Sequence, residues 1–152
     1  MEAVEDKVCF NPKGFKALLM TLQDTYKSAG SAMIFQMSQR YGEHLISELY
    51  PLSEDEYSDL LGAIDKRLRH VRNLGWGEFK VKGFDPDEEV IKVQCKSPVL
   101  NIDSRGETEP MCIFIKEALV GAVNSILKKD FMISMEEYVD NEDKCKFVLE
   151  TR

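Results

Sequence analysis

The sequence predicts an α+β fold: three N-terminal helices, a β-hairpin, a buried fourth helix and a second hairpin, with an antiparallel sheet packed on the helices. Three observations carry that expectation. Apolar residues recur at helical spacing up to about Leu74. The period changes to alternation after Gly75-Trp76-Gly77. The run that begins at Pro110 is apolar around nearly its whole circumference, as expected of a helix enclosed on most sides.

Residues 1–10 read as a lead-in to one domain spanning 11–152. Asn11-Pro12 starts the first helix, a capping side chain followed by proline at the first helical position. Phe15, Leu18, Leu19, Leu22 and Tyr26 form its apolar stripe. Gly30-Ser31 is expected to break the chain, with Ser31 capping a second helix that runs to about Leu49. That helix carries Ala32, Phe35, Ser38, Tyr41, Gly42 and Leu45 along one side, small residues among large ones, which points to close packing. Tyr50-Pro51 ends it. Ser53 and Glu56 make a capping box for a third helix on Leu60, Leu61, Ile64, Leu68 and Val71.

Phe79 and Val81 alternate with Glu78, Lys80 and Lys82, and Ile91, Val93 and Cys95 share a face of the return strand. Asp85-Pro86-Asp87 supplies the turn between them. A polar loop is expected over 97–109. After the fourth helix, Phe131–Met135 and Lys144–Leu149 read as the second hairpin. Phe131, Ile133 and Met135 are expected on one face, and Cys145, Phe147 and Leu149 likewise. Because a helix links the second strand to the third, those two strands need not be neighbours.

At 152 residues the chain is long enough to bury a core. A formal charge of −7 disfavours nucleic acid, whose affinity comes mainly from neutralised phosphates. The basic run Lys66 to Arg72 spreads around a helix and reads as a solvated face. No stretch reaches the roughly 20 consecutive apolar residues of a membrane span. The N-terminus is acidic where a signal peptide would be basic, so a cytoplasmic location is expected. Cys9, Cys95, Cys112 and Cys145 are widely spaced, which suits buried or metal-bound thiols better than disulfides.

No dinucleotide fingerprint, P-loop, nucleophile elbow or catalytic triad is present, so neither a nucleotide cofactor nor catalysis is expected. His44 and His70 lie in helices away from the cysteines and read as solvated side chains. The chemistry-bearing cluster is in the last third, where Cys112 opens the fourth helix and Cys145 the last strand. With Glu136 or Glu137 these thiols could supply zinc ligands. Equally, they could be small buried hydrophobes. A second candidate is an apolar cavity lined by Phe35, Trp76, Phe79, Val93, Ile115 and Leu119, residues that would also make a filled core.

Several of these features together resemble the V4R (4-vinyl reductase) domain family. They are three helices ending in Leu74-Gly75-Trp76-Gly77-Glu78-Phe79, the hairpin with Val93-Gln94-Cys95-Lys96-Ser97-Pro98, Cys112 opening a helix that carries Gly121, and the terminal Cys145-Lys146-Phe147. The resemblance implies a fold shared with heme-NO-binding domains and with subunits of the TRAPP vesicle-tethering complex. It also implies a homodimer that binds small hydrophobic or aromatic molecules, as sensor domains of this family do. The family often holds zinc with three cysteines and a glutamate. Cys112 and Cys145 match its first and last cysteine, while Glu137 stands at the middle cysteine, Ser134 at the glutamate, and Glu117 at a usual glycine. Glu136 or Glu137 then substitutes as ligand, or the site is vestigial. Heme is not expected, because no histidine stands in the proximal context. The expected function is a non-catalytic binding or sensory module for a small apolar ligand, with a structural zinc as an option. A TRAPP-like scaffolding protein is the alternative, and a tetrapyrrole vinyl-reductase relative ranks last.

Overall fold

The computed structural model describes residues 11–73, 77–96, 110–139 and 144–152. The lead-in over residues 1–10, Trp76 and the polar loop expected at 97–109 lie outside the described residues. Helix α1 spans Pro12–Tyr26, and the Asn11 side chain accepts from the Lys13 amide at 2.9 Å, as the sequence predicts. The break that follows is at Lys27, with φ 55, and not at Gly30-Ser31. Helix α2, Ser28–His44, begins at once and carries Gly30 inside it. A Cβ at Gly30 would stand 2.2 Å from the Leu22 carbonyl oxygen, so this glycine permits helix contact and does not interrupt the chain. Past His44 the helix widens into a π turn, Leu45–Leu49.

The Ser53–Glu56 capping box is present but opens only a single short turn, Glu54–Ser58. Asp59 instead starts helix α3, Leu60–Asn73, accepting from the Gly62 amide at 3.0 Å. Arg67 departs from the expected solvated face: it is 4% exposed. Its guanidinium grips both Glu56 carboxylate oxygens and donates to the Tyr50 and Pro51 carbonyls at 3.2 and 2.8 Å. A buried guanidinium is tolerated when its fork of donors is matched in this way. Arg67 therefore ties α3 to the segment before it.

Strand β1 is Glu78–Asp85 and β2 is Val90–Lys96. In the turn between them, Asp85 Oδ1 accepts from the Asp87 and Glu88 amides. Helix α4 is Pro110–Leu127, β3 Phe131–Val139 and β4 Lys144–Thr151. The sheet order is β1-β2-β4-β3, antiparallel throughout, so β2 borders β4 and not β3. One face of the sheet, with Phe79, Ile91, Val93, Cys95, Phe131, Phe147 and Leu149, joins the core with α4.

Helix α4 is buried between this sheet and the other helices, which explains its apolar circumference. By length and composition it could cross a membrane, yet 72% of its most apolar window is buried inside the protein. It meets α2 at backbone distance. A Cβ on Gly42 would lie 1.9 Å from the Ala118 carbonyl oxygen, and one on Gly121 2.0 Å from the Gln39 carbonyl oxygen. Ser38 beside this crossing is fully buried and satisfied by the Ile34 carbonyl. At the other end of α4, the Asn124 amide accepts from Phe131 N at 2.7 Å and donates to Phe131 O at 3.3 Å, fixing how β3 departs.

Candidate functional site

The site begins with an irregularity in β3. Its pairing with β4 shifts between Ile133 and Met135, which puts an extra residue into the strand. A bulge of this kind exchanges the faces of the residues after it. Phe131 is buried as expected, but Met135 is 65% exposed, contrary to the alternation read from the sequence. Glu136 consequently stands opposite the buried Phe147, on the core side, while Glu137 stands opposite the exposed Lys146. The bulge thus turns one of two adjacent acids toward the core side of the sheet, where its side chain remains 29% exposed.

Glu136 meets Lys116 and Cys145 there. Lys116 lies one turn beyond Cys112, so both side chains leave the same side of α4. Its Nζ donates to Glu136 Oε2 at 2.6 Å and to the Cys112 sulfur. The Cys145 thiol donates to Glu136 Oε1 at 3.7 Å. Cys95, on β2, is the direct cross-strand partner of Cys145. All three thiols are buried and unbridged.

The electrostatics follow from burial. Desolvation pushes the Cys145 thiol up to about 12, and the neighbouring Glu136 carboxylate adds to this. Cys95 is raised too, by burial first and then by the other two cysteines. Both are therefore neutral thiols at ordinary pH. For Lys116 burial alone would favour loss of its proton, but Glu136 and Cys112 more than offset it, and the ammonium is held above its usual value.

The zinc expectation meets this geometry directly. Cys112, Cys145 and Glu136 share one cluster, but the cation among them is the Lys116 ammonium. Among the described residues no group of three Cys, His, Asp or Glu side chains is arranged to hold a metal ion. The donor set as it stands does not fit a zinc shell, and Glu137 faces away from it.

Lys116 has a second neighbourhood. An open cleft of about 540 Å³ runs between α2 and α4, with Ala32, Phe35 and Ile113 as its apolar wall. Ser31, Gln36, Lys116 and Glu117 provide its polar groups. Gln39 donates to Glu117 at 2.9 Å, and burial raises the Glu117 carboxyl despite that bond. Of the residues expected to line an apolar cavity, Phe35 forms this wall. Phe79, Val93, Ile115 and Leu119 are buried in the core between α4 and the sheet. His44 pairs with Glu48 at 2.8 Å, and His70 stacks on Tyr50 with ring centroids 4.1 Å apart.

Sequence reasoning missed Lys116, although its i, i+4 spacing from Cys112 was visible. Cys95 could not be assigned to the cluster without the strand order.

No family model and no curated protein matches this chain. Solved structures do. An H-NOX protein from S. oneidensis in the Fe(II)NO ligation state is similar over 99% of this chain and 83% of its own, at 15% identity and TM-score 0.62. An Fe(II) unliganded H-NOX mutant from K. algicida is similar over 95% and 75%, at 11% identity and TM-score 0.61. A trafficking protein particle complex subunit 3 from Naegleria fowleri, covalently bound to palmitic acid, is similar over 93% and 97%, at 12% identity and TM-score 0.56. At these identities the likeness establishes the fold.

Proposed function

We propose that the chain is a non-catalytic module that binds a small apolar molecule and acts as a homodimer. The observation that carries this reading is the α2–α4 cleft, where the apolar wall of Phe35, Ala32 and Ile113 ends on the buried Lys116. An apolar surface with a few fixed polar groups is the usual composition of a ligand site. Ser31 and Gln36 would orient a polar end of the ligand, and Phe35 and Ile113 would cover its body. Two neighbours in fold, one described in a Fe(II)NO state and one with palmitic acid, support the reading, as does the sequence likeness to V4R domains.

The dimer has its own support. Two of the five residues in the α1 stripe are open: Leu18 is 57% and Tyr26 54% exposed. Met33, Met37 and Tyr41 form a parallel line on α2, each more than two-fifths exposed. Apolar surface gathered in this way marks an interaction face. The same stripe favours the scaffold alternative if its partner is another protein.

The test is a thermal-shift screen with aromatic compounds and alkyl carboxylic acids. A ligand at 100 times its Kd adds about 2.7 kcal/mol to stability. At least one compound should raise Tm, and Phe35→Ala should abolish the rise. A panel in which no compound raises Tm would remove the ligand-binding reading.

A further inference from the structure

The geometry points to the open face of the sheet as a docking site for an extended acidic segment of a partner protein. Strand β2 presents Lys92, Gln94 and Lys96 outward, at every second position. Lys80 of β1 stands opposite Gln94 on one side, and Lys146 of β4 stands opposite it on the other. Strand geometry places Lys92 and Lys96 roughly 13 Å apart, and Lys80 and Lys146 roughly 10 Å apart. Four lysines thus form a diamond centred on the half-buried Gln94.

These four lysines and Lys82 are exposed, and none forms an ion pair among the described residues. That is notable in a chain with 27 acidic and 20 basic residues. Among the described residues, Glu78 stands opposite Lys96, although its carboxylate pairs with Arg72 at 2.8 Å, and Glu137 stands opposite Lys146. Asp85 and Glu150 lie on the same face at the Val90 end of β2. Lys80 and Lys92 face no carboxylate on a neighbouring strand, so the face keeps a surplus of positive charge on an otherwise acidic molecule.

The spacing suits a peptide. Side chains on one face of an extended chain recur every ~6.8 Å, the interval between Lys92, Gln94 and Lys96. Fields are screened within about 8 Å at physiological salt, so a short acidic segment feels the diamond and the carboxylates beside it more than the distant acids. A long polyanion or an anionic membrane would also meet the acidic remainder of the protein. Beside Lys92 lie Val148 and then the exposed Met135, which gives the acidic run an apolar neighbour to seat. The Gln94 amide can both donate to and accept from the segment's backbone.

The test uses the full chain and a fluorescent oligoglutamate peptide ending in leucine, followed by anisotropy. Binding is expected, weakening at least tenfold as salt is raised from low to several hundred millimolar. Lys92→Glu with Lys146→Glu should weaken it at least tenfold. Lys13→Glu with Lys66→Glu, an equal change in net charge on exposed helix positions, should leave it within twofold. Thermal melts of both pairs confirm folding. Absence of peptide binding, equal loss in both pairs, or preferential binding of RNA or anionic vesicles would each overturn the proposal.

Discussion

Replacing Glu136 with alanine probes the buried cluster through an asymmetry. The Lys116 side chain is 7% exposed and that of Glu136 29%. Loss of the carboxylate leaves an ammonium with almost no access to water. Orphaning one member of a buried ion pair costs about 3–5 kcal/mol. The Cys112 sulfur remains as an acceptor, so the lower end applies, about 3 kcal/mol. Lys116→Met keeps the packed stem and leaves Glu136, which has nearly a third of its side chain in water and can hydrate. Its cost is about 1 kcal/mol. In a domain of this size each kcal/mol moves Tm by about 2–4 °C. Glu136→Ala should therefore lower Tm by roughly 6–12 °C and Lys116→Met by roughly 2–4 °C. The double variant Lys116→Met/Glu136→Ala should be more stable than Glu136→Ala alone, because the buried charge is gone. Circular-dichroism melts and urea unfolding report these values. If Lys116→Met proves the more damaging, or the two effects simply add, the cluster is not organised around a charge that needs its partner.

Gly42→Ala should lower Tm by roughly 10 °C in the same melts, since overpacking costs about 3 kcal/mol when the obstructing atoms are backbone; an unchanged Tm would mean that α2 and α4 are not in backbone contact. Cys95 and Cys145 should resist iodoacetamide at pH 8 in the native protein and react once it is unfolded, as read by intact-mass labelling. Cys145, with its folded value near 12, adds stability that is complete below the ordinary thiol value of about 8.5 and is lost as pH rises toward 12. Alkaline melts should show that decline, and Cys145→Ala should reduce it. Glu56 is the opposite case, held at about 2 by its bonds to Arg67 and Ser53. Its contribution is present above the ordinary carboxyl value of about 4.3 and is lost as pH falls toward 2, so Glu56→Gln should flatten the acid limb of a Tm–pH curve.

Much of the fold was legible because local chemistry and tertiary structure agree. Asn11-Pro12, Asp85-Pro86-Asp87 and Pro110 all start or turn the chain where their side chains require. The failures have identifiable causes. Gly30 looks like a breaker in one dimension, and only the approach of α1 shows that its missing Cβ matters for packing. Ser53 and Glu56 form their box, but Arg67 claims the same carboxylate from α3, and the helix proper waits for Asp59. In β3 the alternation of Phe131, Ile133 and Met135 implied a regular strand. A bulge leaves no periodic signal, so the inward turn of Glu136 was invisible. Cys112 and Cys145 were recognised as a pair, whereas Cys95 depended on β2 lying beside β4, a long-range pairing. The cleft at Phe35 is likewise a product of how α2 crosses α4, with Gly42 and Gly121 setting the distance.

Native mass spectrometry of gently purified protein tests the ligand-binding reading most directly, because subunit number and retained small molecules appear in one spectrum. A dimer carrying an organic adduct, lost in Phe35→Ala, is the expected result. A monomer with no adduct would contradict it.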